Sequence, residues 1–170
     1  MGVRKLRGQA WSFDFISSVT VFFFVVITLF FVWNYTTYQN TEQMLFSEME
    51  NKAIITADTL IRTRGFPEDW NPSNVQLIGL AEEENVLNQT KLISFVTMDY
   101  SEAKRILGVP SYEFFFQVAH LNGSQASAQG TDLVIGTDPT GVANTTIVVP
   151  IERNILFDHK VAKMRFMLWR

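Results

Sequence analysis

A run of nineteen residues, from Phe15 to Trp33, carries no charge, no proline and no glycine. As an α-helix this run rises about 28 Å, close to the hydrocarbon thickness of a bilayer. Fourteen of the nineteen are Phe, Ile, Val or Leu, and they favour insertion by about 4 to 8 kcal/mol. A core helix of a soluble domain is the alternative, but such a helix normally keeps a polar face. The sequence therefore predicts a transmembrane helix over residues 9–33.

Four hydroxyl residues interrupt the apolar run. In a membrane helix their hydroxyl groups can donate to carbonyls one turn earlier, which lowers the cost of placing them in lipid. We expect this arrangement for Ser17, Ser18, Thr20 and Thr28.

The flanking charges predict how the helix is oriented. Three cations lie within the first eight residues, whereas no cation follows the run until Lys52. Because cationic flanks stay on the cytoplasmic side, we expect residues 1–8 inside the cell and everything beyond residue 33 outside. The predicted localisation is the cell membrane, with a single pass, a cytoplasmic N-terminus and an extracellular C-terminal domain.

The composition of the rest of the chain excludes some classes of function. There is no cysteine, so thiol redox chemistry and disulfides are impossible, and the net charge of −3 argues against nucleic-acid binding. Four Asn-x-Ser/Thr triplets lie on the predicted outer side and are candidate glycosylation acceptors, although such triplets are common by chance. Their asparagines are Asn34, Asn88, Asn122 and Asn144.

The residues around the start of the apolar run resemble the class III signal peptide of archaeal type IV pilin-like proteins. They read Arg7-Gly8-Gln9-Ala10-Trp11-Ser12-Phe13-Asp14. In that family a short basic leader ends in Gly, Gln-x-Ser-x-Glu follows, and a prepilin peptidase removes the leader while the apolar helix stays. The resemblance implies cleavage between Gly8 and Gln9, which makes residues 1–8 a removable leader. Here the acid is Asp14, the sixth residue after Gly8 rather than the fifth, and cleavage after Gln9 would restore the usual spacing.

The resemblance also implies a role for Asp14 in assembly. A carboxylate costs up to about 2.5–3.5 kcal/mol at the centre of a membrane helix and less near the interface. In the family, the equivalent acid pairs with the new N-terminal amine of a neighbouring subunit. Asp14 would then set the register between N-terminal helices in a homo- or hetero-oligomer. The alternative is an interfacial carboxylate that is simply solvated.

Residues 34–64 contain no proline or glycine, and we expect them to continue the membrane helix outward. Gly65 is a natural residue to end this helix, and Pro67 prevents its continuation. Apolar or small residues at a spacing of three and four predict a stripe that packs on a sheet or on a partner helix. The stripe consists of Phe46, Met49, Ala53, Thr56, Leu60 and Thr63.

Residues 65–170 predict a small extracellular α+β head domain. Its first part should hold a loop anchored by buried Phe66 and Trp70, a short strand at 75–78 and a solvated turn at 82–84. We expect Asn88 and Asp99 to cap two short helices. The second part should be mostly β, and its predicted elements are strands at 112–119, 133–135, 145–157 and 161–169, and a surface loop at 122–130.

Alternation in the last strand predicts that Ala162, Met164, Phe166 and Leu168 face the core, whereas Met167 and Trp169 belong to the opposite face. Pro150 indicates an edge strand or a bulge. The predicted fold class is therefore α+β: a long N-terminal transmembrane and stalk helix packed on a small, mainly antiparallel sheet, which is the element order of a type IV pilin-like subunit.

The sequence carries no pattern that indicates an enzyme. His120 and His159 lack metal-ligand spacing, and there is neither a phosphate-binding loop nor a nucleophile elbow. We therefore predict no catalytic residue, no cofactor and no metal. The expected function is a pilin-like subunit of an extracellular filament or envelope complex, with the membrane, a prepilin peptidase and other pilin-like subunits as partners. The alternative is an uncleaved, single-span extracytoplasmic binding or accessory domain.

Overall fold

The computed structural model describes the backbone of residues 7–143 and 145–170, and the side chains of residues 13–37, 43–143 and 145–170. The chain divides into two compact units between Leu45 and Phe46. A single helix, α1 (Arg7–Arg62), passes from the first unit into the second. The predicted continuation of the helix beyond residue 33 is therefore present, and the helix ends at Arg62.

In its described residues, 46–143 and 145–170, the second unit holds two short helices, eight strands and a turn of 3-10 helix (Pro139–Gly141). The helices are α2 (Gln89–Val96) and α3 (Tyr100–Ile106). The strands are β1 (Ala81–Glu83), β2 (Val86–Leu87), β3 (Glu113–His120), β4 (Ser127–Ala128), β5 (Thr131–Asp132), β6 (Val134–Gly136), β7 (Val148–Phe157) and β8 (Lys160–Trp169).

Six of the strands form one mixed sheet in the order β1-β2-β7-β8-β3-β6, and β4 pairs with β5 separately. All neighbours in the large sheet are antiparallel except β2 and β7. The α+β class, with a long N-terminal helix before a mainly antiparallel sheet, is therefore confirmed.

The core lies between one face of the sheet and the C-terminal part of α1. The predicted inward residues of β8, from Ala162 to Leu168 in steps of two, are fully buried. The stripe on α1 is buried from Met49 onward, whereas Phe46 is exposed and Thr63 is half-buried. We call the residues of α1 that are buried in the head the buried stripe: Met49, Ala53, Thr56, Ala57, Leu60 and Ile61.

The end of α1 is bonded directly into the head. The last carbonyls of a helix have no partner within the helix, and they must find one elsewhere. Here the backbone N–H groups of Leu80, Asn85 and Ala81 donate to Leu60 O, Ile61 O and Thr63 O, at 2.8, 2.9 and 3.0 Å. The segment from Leu80 to Asn85, which contains β1, thus completes the helix terminus.

Two predictions for this region are wrong. Residues 75–78 form no strand, because Leu77 makes only an isolated bridge to Phe66. The strand lies instead at Ala81–Glu83, where a solvated turn was expected. The long-range bonds to the α1 carbonyls hold this acidic segment extended, with Glu82 and Glu83 exposed.

The predicted anchors and caps are mostly confirmed. Trp70 is buried and its indole N–H donates to Gly79 O at 2.9 Å, but Phe66 is 58% exposed and is not an anchor. Asn88 Oδ1 accepts from Lys91 N at 3.1 Å, and Asp99 Oδ1 accepts from Glu102 N at 2.9 Å. Both asparagine and aspartate therefore act as the N-caps of α2 and α3.

The loop expected at 122–130 is only partly a surface loop. It contains strand β4, and Ala126 and Ala128 are buried.

On the opposite face of the sheet, Met167 and Trp169 are also buried. The Trp169 indole N–H donates to Thr137 O at 3.1 Å, so the segment after β6 covers this end of the sheet.

Pro150 lies on an open edge of the sheet, as predicted. Strand β7 meets β2 only near Leu156, whose N–H donates to Asn85 O at 2.7 Å and so points away from β8. Backbone groups alternate in direction along a strand, so the N–H position of Pro150 also points away from β8. Proline removes a donor there without costing a ladder bond.

Candidate functional site: the apolar segment of helix α1

The N-terminal half of α1 contains one segment, Phe13–Thr37, that is long and apolar enough to span a membrane. The described part of the chain buries none of its most apolar stretch. A core helix of a soluble domain would be covered by its own fold, so this finding favours a membrane anchor. The segment extends four residues beyond the predicted end at residue 33, and the side chains before Phe13 lie outside the described residues.

Four polar side chains of the segment donate to carbonyls one turn earlier in the helix, and three of them are among the four predicted hydroxyl residues. Ser17, Thr20 and Thr28 donate to the carbonyls of Phe13, Ile16 and Phe24, at 2.9, 2.8 and 2.8 Å. The amide nitrogen of Asn34 likewise donates to Phe30 O at 2.8 Å. These bonds reduce the number of polar groups that would enter lipid without a hydrogen-bond partner.

The aromatic residues of the segment avoid one face of the helix. Successive residues are turned by about 100° around a helix axis, and all seven phenylalanines of the segment fall outside a sector of roughly 100°. We call this sector the aromatic-free face. Its residues, spaced four and three apart, are Asp14, Ser18, Val21, Val25, Thr28 and Val32.

This face was not recognised from the sequence. Its signal is the positions of the phenylalanines around the helix, which the length of the apolar run does not reveal. Small and β-branched side chains let two membrane helices approach closely, whereas phenylalanine keeps their backbones apart. The aromatic-free face is therefore the side of α1 on which another helix can pack most closely.

Asp14 lies at the N-terminal end of the aromatic-free face, and its side chain is exposed. It is the single charged residue of the segment Phe13–Thr37. A lone carboxylate at the edge of an apolar span needs water or a cationic partner. Its position on this face, rather than among the phenylalanines, makes it available to a helix that packs there.

The predicted processing residues lie at the very start of α1. The backbones of Gly8 and Gln9 belong to its first turn, and their side chains are outside the described residues. Glycine is about 1 kcal/mol less favourable than alanine in a helix. Gly8 therefore disfavours helix at the predicted cleavage position, and cleavage between Gly8 and Gln9 stays a prediction.

The candidate glycosylation acceptors occupy different kinds of structure. Asn34 lies within the apolar segment, Asn88 caps α2 and is half-buried, and Asn122 lies in an exposed turn after β3. Asn144 lies outside the described residues.

The head unit has a shallow depression on the outer face of the sheet, with a volume of about 150 Å³. Glu152 lies in it and accepts from Arg165 Nε at 3.1 Å, with Lys163 Nζ at 3.6 Å. The hydrogen bond from Arg165 holds the pKa of Glu152 below its usual value. Arg165 and Lys163 share the single carboxylate of Glu152, so the three side chains together carry one net positive charge.

A second polar cluster joins α3 to the start of β3. The Tyr100 hydroxyl donates to Glu113 Oε2 at 2.8 Å and accepts from Phe114 N at 2.9 Å, and Lys104 Nζ lies 2.8 Å from Glu113 Oε1. Burial raises the pKa of Tyr100 to about 12. Each group has a partner, which is typical of a structural network.

Neither His120 nor His159 belongs to a group of metal ligands among the described residues. His120 ends β3, and His159 lies in the turn between β7 and β8 with a φ of 58°. Within the residues that the structure describes, no group of three His, Asp or Glu side chains could hold a metal ion.

The comparisons with known proteins give no match: no family model, no curated protein and no solved structure matches the chain.

Proposed function

We propose that this chain is a non-enzymatic, membrane-anchored pilin-like subunit that assembles into, or supports, an extracellular filament or envelope complex. The observation that carries the proposal is the exposed apolar segment of α1, which has a single carboxylate on its one face without aromatic residues. In this proposal residues 1–8 are a cytoplasmic leader, α1 crosses the membrane, and the head lies outside the cell.

The physics of helix association in lipid supports self-assembly through α1. Lipid is as apolar as the side chains, so helices associate there by close packing and by polar contacts rather than by the hydrophobic effect. The aromatic-free face offers close packing, and Asp14 offers the polar contact. Its natural partner is the amine that cleavage after Gly8 would create at Gln9 of a neighbouring subunit.

The first test is the N-terminal mass of the full chain isolated from the membranes of its own cells. We expect a chain that begins at Gln9, because the leader has been removed. A chain that begins at Met1 would contradict processing and would favour the uncleaved alternative. A start at Ala10 would place the cut after Gln9, where the spacing to Asp14 matches the usual family pattern.

The second test uses two neighbouring valines of α1 that are exposed to similar extents, 48% for Val25 and 43% for Val26. Val25 lies on the aromatic-free face and Val26 lies among the phenylalanines. We expect Val25→Phe to abolish two signals, because the ring holds neighbouring backbones apart. The first is oligomers captured by chemical cross-linking in the membrane, and the second is assemblies from the cell surface that sediment on centrifugation. Val26→Phe is the matched control and should assemble normally. Equal effects of the two changes would contradict packing through this face.

The third test concerns the carboxylate. Asp14→Ala should reduce assembly at unchanged membrane content, whereas Asp14→Glu should retain it because the charge is preserved. Assembly of Asp14→Ala at the wild-type level would mean that the carboxylate is only solvated.

An uncleaved extracytoplasmic binding or accessory domain is the second candidate. It is favoured by the displaced acid, since Asp14 and Ser12 each lie one place later than in the usual signal. In this case the chain would keep Met1, and both valine variants would behave like the wild type.

A further inference from the structure

The turn after β3 contains the triplet Asn122-Gly123-Ser124 at its tip. His120 N donates to Ser124 O at 2.8 Å, and Gly123 N donates to His120 O at 2.9 Å. Gly123 has a φ of +84°, a conformation that costs glycine little and other residues much more. Leu121, Asn122 and Gly123 therefore form a tight, exposed connection that Ser124 closes by pairing with His120.

The side chains of the triplet are bonded to each other in a defined way. Asn122 Oδ1 accepts from Ser124 N at 2.9 Å and from Ser124 Oγ at 2.7 Å. A backbone N–H can only donate, so the atom that faces it must be the amide oxygen. The amide nitrogen of Asn122 then faces away, and it makes no hydrogen bond to any residue in the described part of the chain.

The other described triplets are committed to structural roles. The Asn34 amide nitrogen donates to Phe30 O inside the apolar segment, which the proposed function places in the membrane. Asn88 is half-buried, its oxygen caps α2, and the rest of its triplet forms the first turn of that helix. Neither presents its amide nitrogen on an open turn as Asn122 does.

We infer that Asn122 is an N-glycosylation site, and that Asn34 and Asn88 are not. The donor is an oligosaccharide carried on a polyprenyl phosphate or diphosphate. The Asn122 nitrogen attacks C1 of the first sugar, an N–C1 bond forms, and the C1–O bond to phosphate breaks. The lipid phosphate leaves with the electron pair, and one amide proton passes to a base of the transferase. The inference rests on the outward orientation of the head in the proposed function.

The test is peptide-resolved mass spectrometry of the full chain purified from the membranes of its own cells. We expect a sugar-containing mass increase on the peptide with Asn122 and none on the peptides with Asn34 or Asn88. Asn122→Gln should remove it. Ser124→Ala should also remove it, because the acceptor triplet loses its hydroxyl, whereas the matched change Ser124→Thr keeps the hydroxyl and should keep the glycan.

Three outcomes would overturn the inference: an unmodified Asn122, a glycan at Asn34 or Asn88, or a glycan that survives Ser124→Ala. The N-terminal mass is read from the same sample and separates this inference from the proposed function. A chain that begins at Met1 and carries the glycan would contradict processing only, whereas an unmodified chain that begins at Gln9 would contradict the glycosylation site only.

Discussion

Asp58 of α1 and Arg153 of β7 form an ion pair across the junction of helix and sheet, with 3.0 Å between Oδ1 and Nε. The two side chains are about one-third exposed, at 30% and 36%. They flank the buried stripe, so the pair fixes which residues of β7 lie beside α1.

We expect a double-mutant cycle of Asp58→Ala and Arg153→Ala to give a coupling energy of about 0.5–1 kcal/mol, because both charges keep partial access to water. The coupling should fall in about 1 M salt, where exposed charges are screened. The measurement is denaturant unfolding of the full chain in detergent. A coupling of zero at low salt would mean that the contact adds nothing to stability.

Gly79 is packed so closely that a larger residue should destabilise the head. A Cβ atom there would lie 2.3 Å from Gly65 N and 2.4 Å from Thr63 O, and both are backbone atoms that cannot yield cheaply. We expect Gly79→Ala to lower the free energy of unfolding by about 1–3 kcal/mol, as overpacking does. The control is Gly141→Ala, because a Cβ there meets no atom within 4 Å. Equal stability of the two variants would refute the predicted strain.

Pro150 should protect the open edge of β7 from pairing with another chain. Pro150→Thr adds an N–H that points away from β8, on an edge that the described residues leave unpaired before Leu156. We expect Pro150→Thr to begin aggregating in detergent at a lower temperature than the wild type. Light scattering measures this onset. Pro110→Thr is the control, because Pro110 is exposed in the turn before β3 and lies on no strand edge. If Pro110→Thr aggregates as readily, the edge is not the cause.

The head should lose stability in acid through Glu113. Burial alone would raise the pKa of Glu113, but the hydrogen bonds from Lys104 and Tyr100 hold it below the ordinary value of 4.5. A lowered pKa in the folded state stabilises the fold above the unfolded pKa, and this contribution is lost as the pH falls below 4.5 and through the folded pKa.

Urea midpoints measured between neutral pH and acid test this prediction. Glu113→Gln should be less stable than the wild type at neutral pH, and it should lose less stability below pH 4.5. Glu83→Gln, on the exposed side of β1, should keep the wild-type acid dependence. An unchanged acid dependence in Glu113→Gln would contradict the assignment.

The sequence predicted those elements whose signals are local. Alternation located β8 and its buried residues, and Asn88 and Asp99 located the starts of α2 and α3, because a cap and its helix are neighbours in the chain. Strand β1 was missed because the bonds that hold it and its flanks extended go to carbonyls at the end of α1 and just after it, about twenty residues earlier. The burial of Trp169 was missed for the same reason, since its cover comes from the segment after β6.

The candidate site divides in the same way. The apolar segment and Asp14 were evident from composition, whereas the aromatic-free face required the helical positions of all seven phenylalanines. Asn122 could not be separated from Asn34 and Asn88 by sequence, because an Asn-x-Ser/Thr triplet does not specify the backbone structure that carries it. Cleavage after Gly8 and pairing of Asp14 remain predictions.

The bonded end of α1 has a mechanical consequence. Tension applied through the helix reaches the head along one uninterrupted backbone, and the chain has no cysteine to form a covalent crosslink. The contacts that resist separation of the helix from the head are therefore non-covalent: the buried stripe and the backbone bonds from Leu80, Ala81 and Asn85. We expect the head to hold the helix under load until these contacts break.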